Sequence, residues 1–270
     1  MMLKKTLIAL GVASFASGCA MTGHEGGHDA GHVMGSMAKG HDMAKAHAPH
    51  WNYEGKTGPA NWAALEDKFA TCASGKEQSP VDIVGGHPMG LQPIEFHYAA
   101  MSKPTVINNG HTFQVNYAPG SYAMIGGKKY NLLQFHFHSP AENKINGVQY
   151  DFVTHLVHKS DDGQLAVVGV KATAGKDNAF LKTIFDAAPA AAGEAVASAD
   201  IDANTLLPAD KGYYNFKGSL TTPPCSEGVN WNVMKNPVEL SAGQLGQFKK
   251  VFPMNARPTQ PLNGRMIGEL

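Results

Sequence analysis

From residue 51 onward, apolar and polar side chains alternate in short runs broken by glycine, asparagine and proline. An extended chain sends successive side chains to opposite faces, so runs of this kind predict half-buried β-strands. In LLQFHFHSP, residues 132–140, a period of two sets Leu133, Phe135 and Phe137 on one face and Gln134, His136 and His138 on the other. In YDFVTHLVH, residues 150–158, it sets Asp151, Val153, His155 and Val157 against Phe152, Thr154, Leu156 and His158. The strands expected are 105–107, 112–117, 130–138, 149–158, 165–172 and 228–233, with turns at Asn109-Gly110, Gly126-Gly127 and Asn146-Gly147. Only 180–197 and 241–252 have helical character, and both are short and peripheral, so sheet dominates.

Composition narrows the partners. The chain has 270 residues, of which 43% are hydrophobic, ample for a real core. Its 22 Lys and Arg balance 22 Asp and Glu, which argues against nucleic acid and against a polybasic membrane-surface mode. A small or neutral partner is expected.

The first fifty residues read differently. Met1 to Lys5 are basic, Thr6 to Ala16 apolar, and small residues follow, the layout of an export signal over 1–18. Ala16-Ser17-Gly18-Cys19 resembles a bacterial lipoprotein processing site in which Cys19 becomes the lipidated first residue; an ordinary cleaved signal is the alternative. The expected location is the bacterial periplasm or cell envelope, with membrane contact only through the lipid. With Cys19 committed to lipid, Cys72 and Cys225 remain as an even pair in an oxidising compartment, and a disulfide is expected. Residues 19–50 lack Phe, Tyr and Trp and are rich in Gly, Ala and His, a composition that cannot bury enough to order itself. They read as a tether, either a plain linker or, through six histidines, a loose binder of Zn, Cu or Ni. Residues 51–270 read as one folded domain.

Two outward imidazoles on one strand are either a coincidental polar face or a site. If the turn at Asn146-Gly147 folds the second strand beside the first, His155 joins His136 and His138, and His158 is left on the far face. Three neutral imidazoles hold Zn²⁺ and leave its fourth tetrahedral position to water, whereas a structural site is closed by a fourth protein ligand.

Together with WNYEGKTGPANW at 51–62, QSPVDI at 78–83, NNGH at 108–111, SLTTPP at 219–224 and RPTQPLNGR at 257–265, these strands resemble the α-class carbonic anhydrases over nearly all of 51–270. The resemblance implies a mainly β fold: a single large, twisted, mostly antiparallel sheet with a few short peripheral helices. It implies one Zn²⁺ per chain on His136, His138 and His155, and reversible hydration of CO₂ to bicarbonate and a proton by zinc-bound hydroxide. Thr221 would accept a hydrogen bond from that hydroxide and donate its own proton to Glu142. Val157, which shares the face of His155, would form an apolar wall for CO₂ with Val167, Leu220 and Trp231, and Thr222 would also line the substrate pocket. His111 would shuttle the proton to buffer, titrating near neutrality, through water ordered by Tyr53, Asn109 and Gln114. Gln134 would receive the outer N–H of one ligand histidine, and the Cys72–Cys225 disulfide would anchor the loop bearing SLTTPP.

One position departs from the family. Two residues before His155 a glutamate is usual and Val153 stands instead, while Asp151 on the same face lies too far along. Losing such a partner typically lowers metal affinity or activity roughly 10- to 100-fold, so weaker zinc binding is expected. The rival from another class is a zinc-scavenging envelope lipoprotein whose tether is the active feature and whose domain is catalytically weakened. An esterase would be a side activity at most.

Overall fold

The computed structural model describes residues 50–270. The export signal, lipidation at Cys19 and the tether up to residue 49 lie outside the described residues. No described helix is long and apolar enough to cross a membrane.

Eight strands position everything that follows: β1 (Thr105–Asn108), β2 (Phe113–Asn116), β3 (Tyr122–Ile125), β4 (Lys128–His138), β5 (Phe152–Lys159), β6 (Leu165–Ala174), β7 (Tyr213–Ser219) and β8 (Glu227–Met234). Among the described residues, a 13-stranded sheet runs from Ala195–Ala197 through β1, β2, β4, β5, β6, β8 and β7 to Gly268–Glu269 and His87–Pro88. Most neighbours are antiparallel, and β6 runs parallel to β8.

The two faces of the central strands differ as the alternation requires. Phe135, Phe137 and Phe152 are fully buried on the far face beneath two helices, α1 (Ala179–Asp186) and α2 (Ala242–Val251). Phe185 of α1 meets Phe137 at 5.6 Å between ring centroids, and Phe248 of α2 meets Phe152 at 5.2 Å. Each such ring contributes roughly 1.5–3 kcal/mol by leaving water, so this layer holds the strands rigid while their near face carries polar groups. His158 belongs to the far side: its Nε2 lies 2.7 Å from the Tyr98 hydroxyl, and it is fully buried.

Four expectations change. Leu133 is not part of the apolar face, because the β4–β5 register slips between Val157 and His158 and Leu132 takes the buried place. The extra residue of this bulge, Leu133, is left 42% exposed. The helix expected over 180–197 stops at Asp186, before Pro189, whose missing N–H and fixed φ oppose its continuation, and Ala195–Ala197 joins the edge of β1. Asn146 and Gly147, with φ of 49° and 78°, turn a small separate hairpin of Lys144–Ile145 and Val148–Gln149, after which β5 returns beside β4. Strand β7 was not expected, because its buried positions do not alternate.

Candidate metal centre

Register brings the three histidines together. His136 of β4 lies directly opposite His155 of β5, and His138 is two residues along from His136. Ring centroids are 5.0 Å apart for His136 and His138, 5.4 Å for His136 and His155, and 4.7 Å for His138 and His155. One nitrogen from each ring falls within 4.8 Å of the others, and among the described residues this is the one cluster of His, Cys or acidic groups that could hold a metal. Burial and then the neighbouring imidazoles push the His136 and His155 pKa values well below the ordinary range. Both rings are thereby held neutral, the form that offers a lone pair to a cation.

The outer nitrogens decide how firmly the rings are aimed. His136 Nδ1 donates to Gln134 Oε1 at 2.8 Å. His138 Nδ1 donates to the backbone carbonyl of Asn255 at 2.7 Å, which leaves buried His138 Nε2 with no partner. An orphaned, buried acceptor facing two other imidazoles fits a metal ligand. His155 has no such support. Its Nε2 is buried without a partner, and Nδ1 comes no nearer than 3.9 Å to Glu142 Oε2. Val153 stands beside it: a Cβ placed on Gly169 would lie 3.8 Å from His155 Cδ2 and 3.9 Å from Val153 Cγ2. Asp151 is occupied elsewhere, accepting from the Ala174 N–H at 3.2 Å.

Glu142 is fully buried, and burial pushes its pKa above the ordinary carboxylate range, against the pull of His138, the Arg257 N–H and the Thr221 hydroxyl. Its Oε1 accepts from the Arg257 N–H at 2.9 Å. Oε2 has no hydrogen bond of good geometry, so Thr221 acts on the carboxyl from nearby without a formed bond. The loop carrying Leu220, Thr221 and Thr222 is tied down at both ends. Trp231 Nε1 donates to the Ser219 carbonyl at 2.9 Å, and Cys225 is bonded to Cys72 across 153 residues of sequence. Closing a loop of that length stabilises by about 5 kcal/mol in the chain-entropy picture. Val157, Val167, Trp231 and half-buried Leu220 share one apolar cluster, with Val157 opposite Val167 and Val167 opposite Trp231 in the register. The Trp231 ring meets His155 edge-on at 4.9 Å, which places this wall against the triad.

Tyr53, Asn109, His111, Gln114, Gln134, His136, His138 and Thr222 line one cavity of about 140 Å³. His111 departs from its expected behaviour. Its ring lies parallel to Trp51, with centroids 3.6 Å apart, and parallel to His50 at 4.7 Å. Burial first, and the neighbouring His50 second, lower its pKa to about 4 rather than leaving it near neutrality. Trp51→Ala should re-expose the ring and raise this pKa from about 4 toward the ordinary value of ~6.5. An NMR titration of the His111 ring proton checks this, and an unmoved midpoint would show that Trp51 is not the cause.

Three contributors escaped the sequence reading. Trp51 is one. Asn255 is another: besides its carbonyl on His138, its side chain accepts from the Ser139 N–H at 2.8 Å and donates to the carbonyls of His111 at 3.0 Å and Phe137 at 2.9 Å. Arg257 is the third, through its backbone N–H on Glu142. A backbone group has no residue type, so two of these contacts leave no mark in the sequence.

Known proteins share this sequence and fold. The profile of the family described as eukaryotic-type carbonic anhydrase matches residues 57–269. A carbonic anhydrase of Nostoc sp. is 43% identical over 235 residues, covering 84% of this chain and 88% of its own. The α-carbonic anhydrase of Thermovibrio ammonificans, solved with the inhibitor sulfanilamide, superposes with a TM-score of 0.78 at 42% identity, over 81% of this chain and 98% of that one. Dioscorin, solved with ascorbate, reaches a TM-score of 0.76 at 30% identity over 82% of this chain and 98% of its own. By the extent of the profile and the identity to these relatives, the chain belongs to the eukaryotic-type, or α-class, carbonic anhydrase family.

Proposed function

We propose that this protein is a zinc-dependent carbonic anhydrase that interconverts carbon dioxide and water with bicarbonate and a proton. A shared fold does not fix an activity, so the weight rests on the site. The observation that carries the reading is the convergence of three imidazoles, two of them held by hydrogen bonds from their outer nitrogens, around the orphaned Nε2 of His138. Leaving such an atom unpaired costs about 1–3 kcal/mol, which a cation at the triad would offset.

Zinc held by His136, His138 and His155 would supply the Lewis acidity that makes water a nucleophile near neutral pH, as is established for this enzyme family. Glu142, with Oε1 taken by Arg257, has Oε2 free to accept the Thr221 proton. Thr221 can then only accept from a group in the cavity, which favours a partner with a proton to give and excludes others. Carbon dioxide has no net dipole, and the wall of Val157, Val167, Leu220 and Trp231 offers it apolar contact without a charged clamp. Tyr53, Asn109, Gln114 and Thr222 line the cavity shared by His111, His136 and His138, where water would carry the proton. Stacked on Trp51, with burial lowering its pKa to about 4, His111 is a weak base in this position, and leaving the stack would restore its basicity for proton transfer. The same reading places the protein in the bacterial periplasm or envelope, anchored by lipid on Cys19; the Cys72–Cys225 bond fits an oxidising compartment.

Stopped-flow CO₂ hydration by purified protein, with and without a sulfonamide or a zinc chelator, tests the proposal. Hydration that both agents abolish is expected; none above the uncatalysed rate would refute it. The scavenging alternative gains from the unpartnered His155 Nε2, but it requires residues 20–50. Deleting them leaves hydration intact on the enzyme reading.

A further inference from the structure

We propose that Asn116, an exposed residue at the end of β2, is a positioning residue of this cavity: it fixes which way the Gln114 carboxamide faces, so that the polar wall presents N–H donors to the water between the triad and His111. This rests on the function proposed above.

The polarity follows from a chain of contacts anchored in the backbone. Asn109 accepts hydrogen bonds from the His111 and Thr112 N–H groups, each at 3.0 Å, and only the oxygen end of a carboxamide accepts. Its Nδ2 therefore faces Gln114, and the atom it meets at 3.2 Å must be Oε1. Gln114 Nε2 is then the group 2.7 Å from Asn116, whose contacting atom must be Oδ1. The assignment of oxygen and nitrogen in all three amides is thus dictated by two backbone donors. The last link is the shorter one, so Asn116 holds Gln114 more firmly than Asn109 does.

The register lays this chain alongside the ligand strand. Gln114 stands opposite His136, and Asn116 opposite Gln134. Gln134 is itself polarised, since its Oε1 is taken by His136 Nδ1. Each carboxamide oxygen along this edge already accepts at least one hydrogen bond, while the Gln114 and Asn109 NH₂ groups each keep one N–H uncommitted for the cavity. Water on such a wall accepts through its oxygen and turns its protons away, toward an acceptor such as the His111 ring. A reversed Gln114 would offer an oxygen instead and compete with His111 for the same protons.

The test uses the full chain and two substitutions. Asn116→Leu removes the acceptor, while Asn116→Asp keeps it; position 116 is exposed, so neither threatens the core. In Asn116→Leu the hydration kcat should fall about 3- to 10-fold, the effect of losing one orienting hydrogen bond, with kcat/KM unchanged because the triad and the apolar wall are untouched. Asn116→Asp should stay within about twofold of the parent. Side-chain amide NMR gives a readout independent of turnover: the Gln114 NH₂ protons should exchange faster with solvent in Asn116→Leu and not in Asn116→Asp. An unchanged kcat in Asn116→Leu, an equal fall in kcat/KM, or unaltered Gln114 exchange overturns the proposal. Absence of hydration in the parent protein would instead strike the functional reading, and the amide exchange would still report on Asn116.

Discussion

Replacing His136 with alanine is expected to reduce bound zinc from about one ion per chain to a trace and to lower CO₂ hydration to the uncatalysed rate. Two imidazoles remain, and one of them, His155, has no outer partner to aim it. His136 is the best supported of the three by side-chain chemistry, since Gln134 fixes its orientation at 2.8 Å. The measurement is zinc content by elemental analysis beside a sulfonamide-binding titration. It is best made on a chain starting at Trp51, because the histidines before it could retain metal independently. The match to the solved Thermovibrio protein covers 81% of this chain and 98% of that one. Equal zinc in the variant and the parent would remove the triad from the explanation.

The second large effect is a gain. Val153→Glu should tighten zinc binding about tenfold or more, by supplying the acceptor that His155 Nε2 lacks. Val153 Cγ2 and His155 Cδ2 both lie over Gly169, which puts no side chain between them. The increase should sit at the lower end of the roughly 10- to 100-fold range seen for such partners. Lys171 stands opposite Val153 in the register, and its buried ammonium, held by the carbonyls of Met234 at 2.5 Å and Lys235 at 2.6 Å, would share a carboxylate at 153. Competition against a chelator of known affinity measures the change. Unchanged or weaker binding would show that His155 is already aimed by packing against Trp231.

The triad was legible in the sequence because it follows from a single rule. Side chains two apart on a strand share a face, so His136 pairs with His138, and His158 is excluded from the site that takes His155. The same rule failed at Leu133, where a bulge inserts one residue and shifts the apolar face to Leu132. The strand at Tyr213–Ser219 was lost for a related reason: neighbouring elements, not local period, decide burial there; the early end of the helix expected over 180–197 follows instead from Pro189. The site's outer support was only half readable. Gln134 and the missing acceptor at Val153 are side-chain facts and could be read, whereas the Asn255 carbonyl and the Arg257 N–H are backbone groups placed by tertiary folding. The low pKa of His111 was out of reach as well, since it depends on the stacked rings of Trp51 and His50.

Zinc K-edge X-ray absorption on the metal-loaded chain starting at Trp51 probes the coordination most directly. Three imidazole nitrogens at ~2.0–2.1 Å with one exchangeable oxygen, replaced by nitrogen when a sulfonamide is added, are the expected result. A fourth imidazole, a sulfur ligand, or a shell that ignores the sulfonamide would contradict a catalytic site open to solvent.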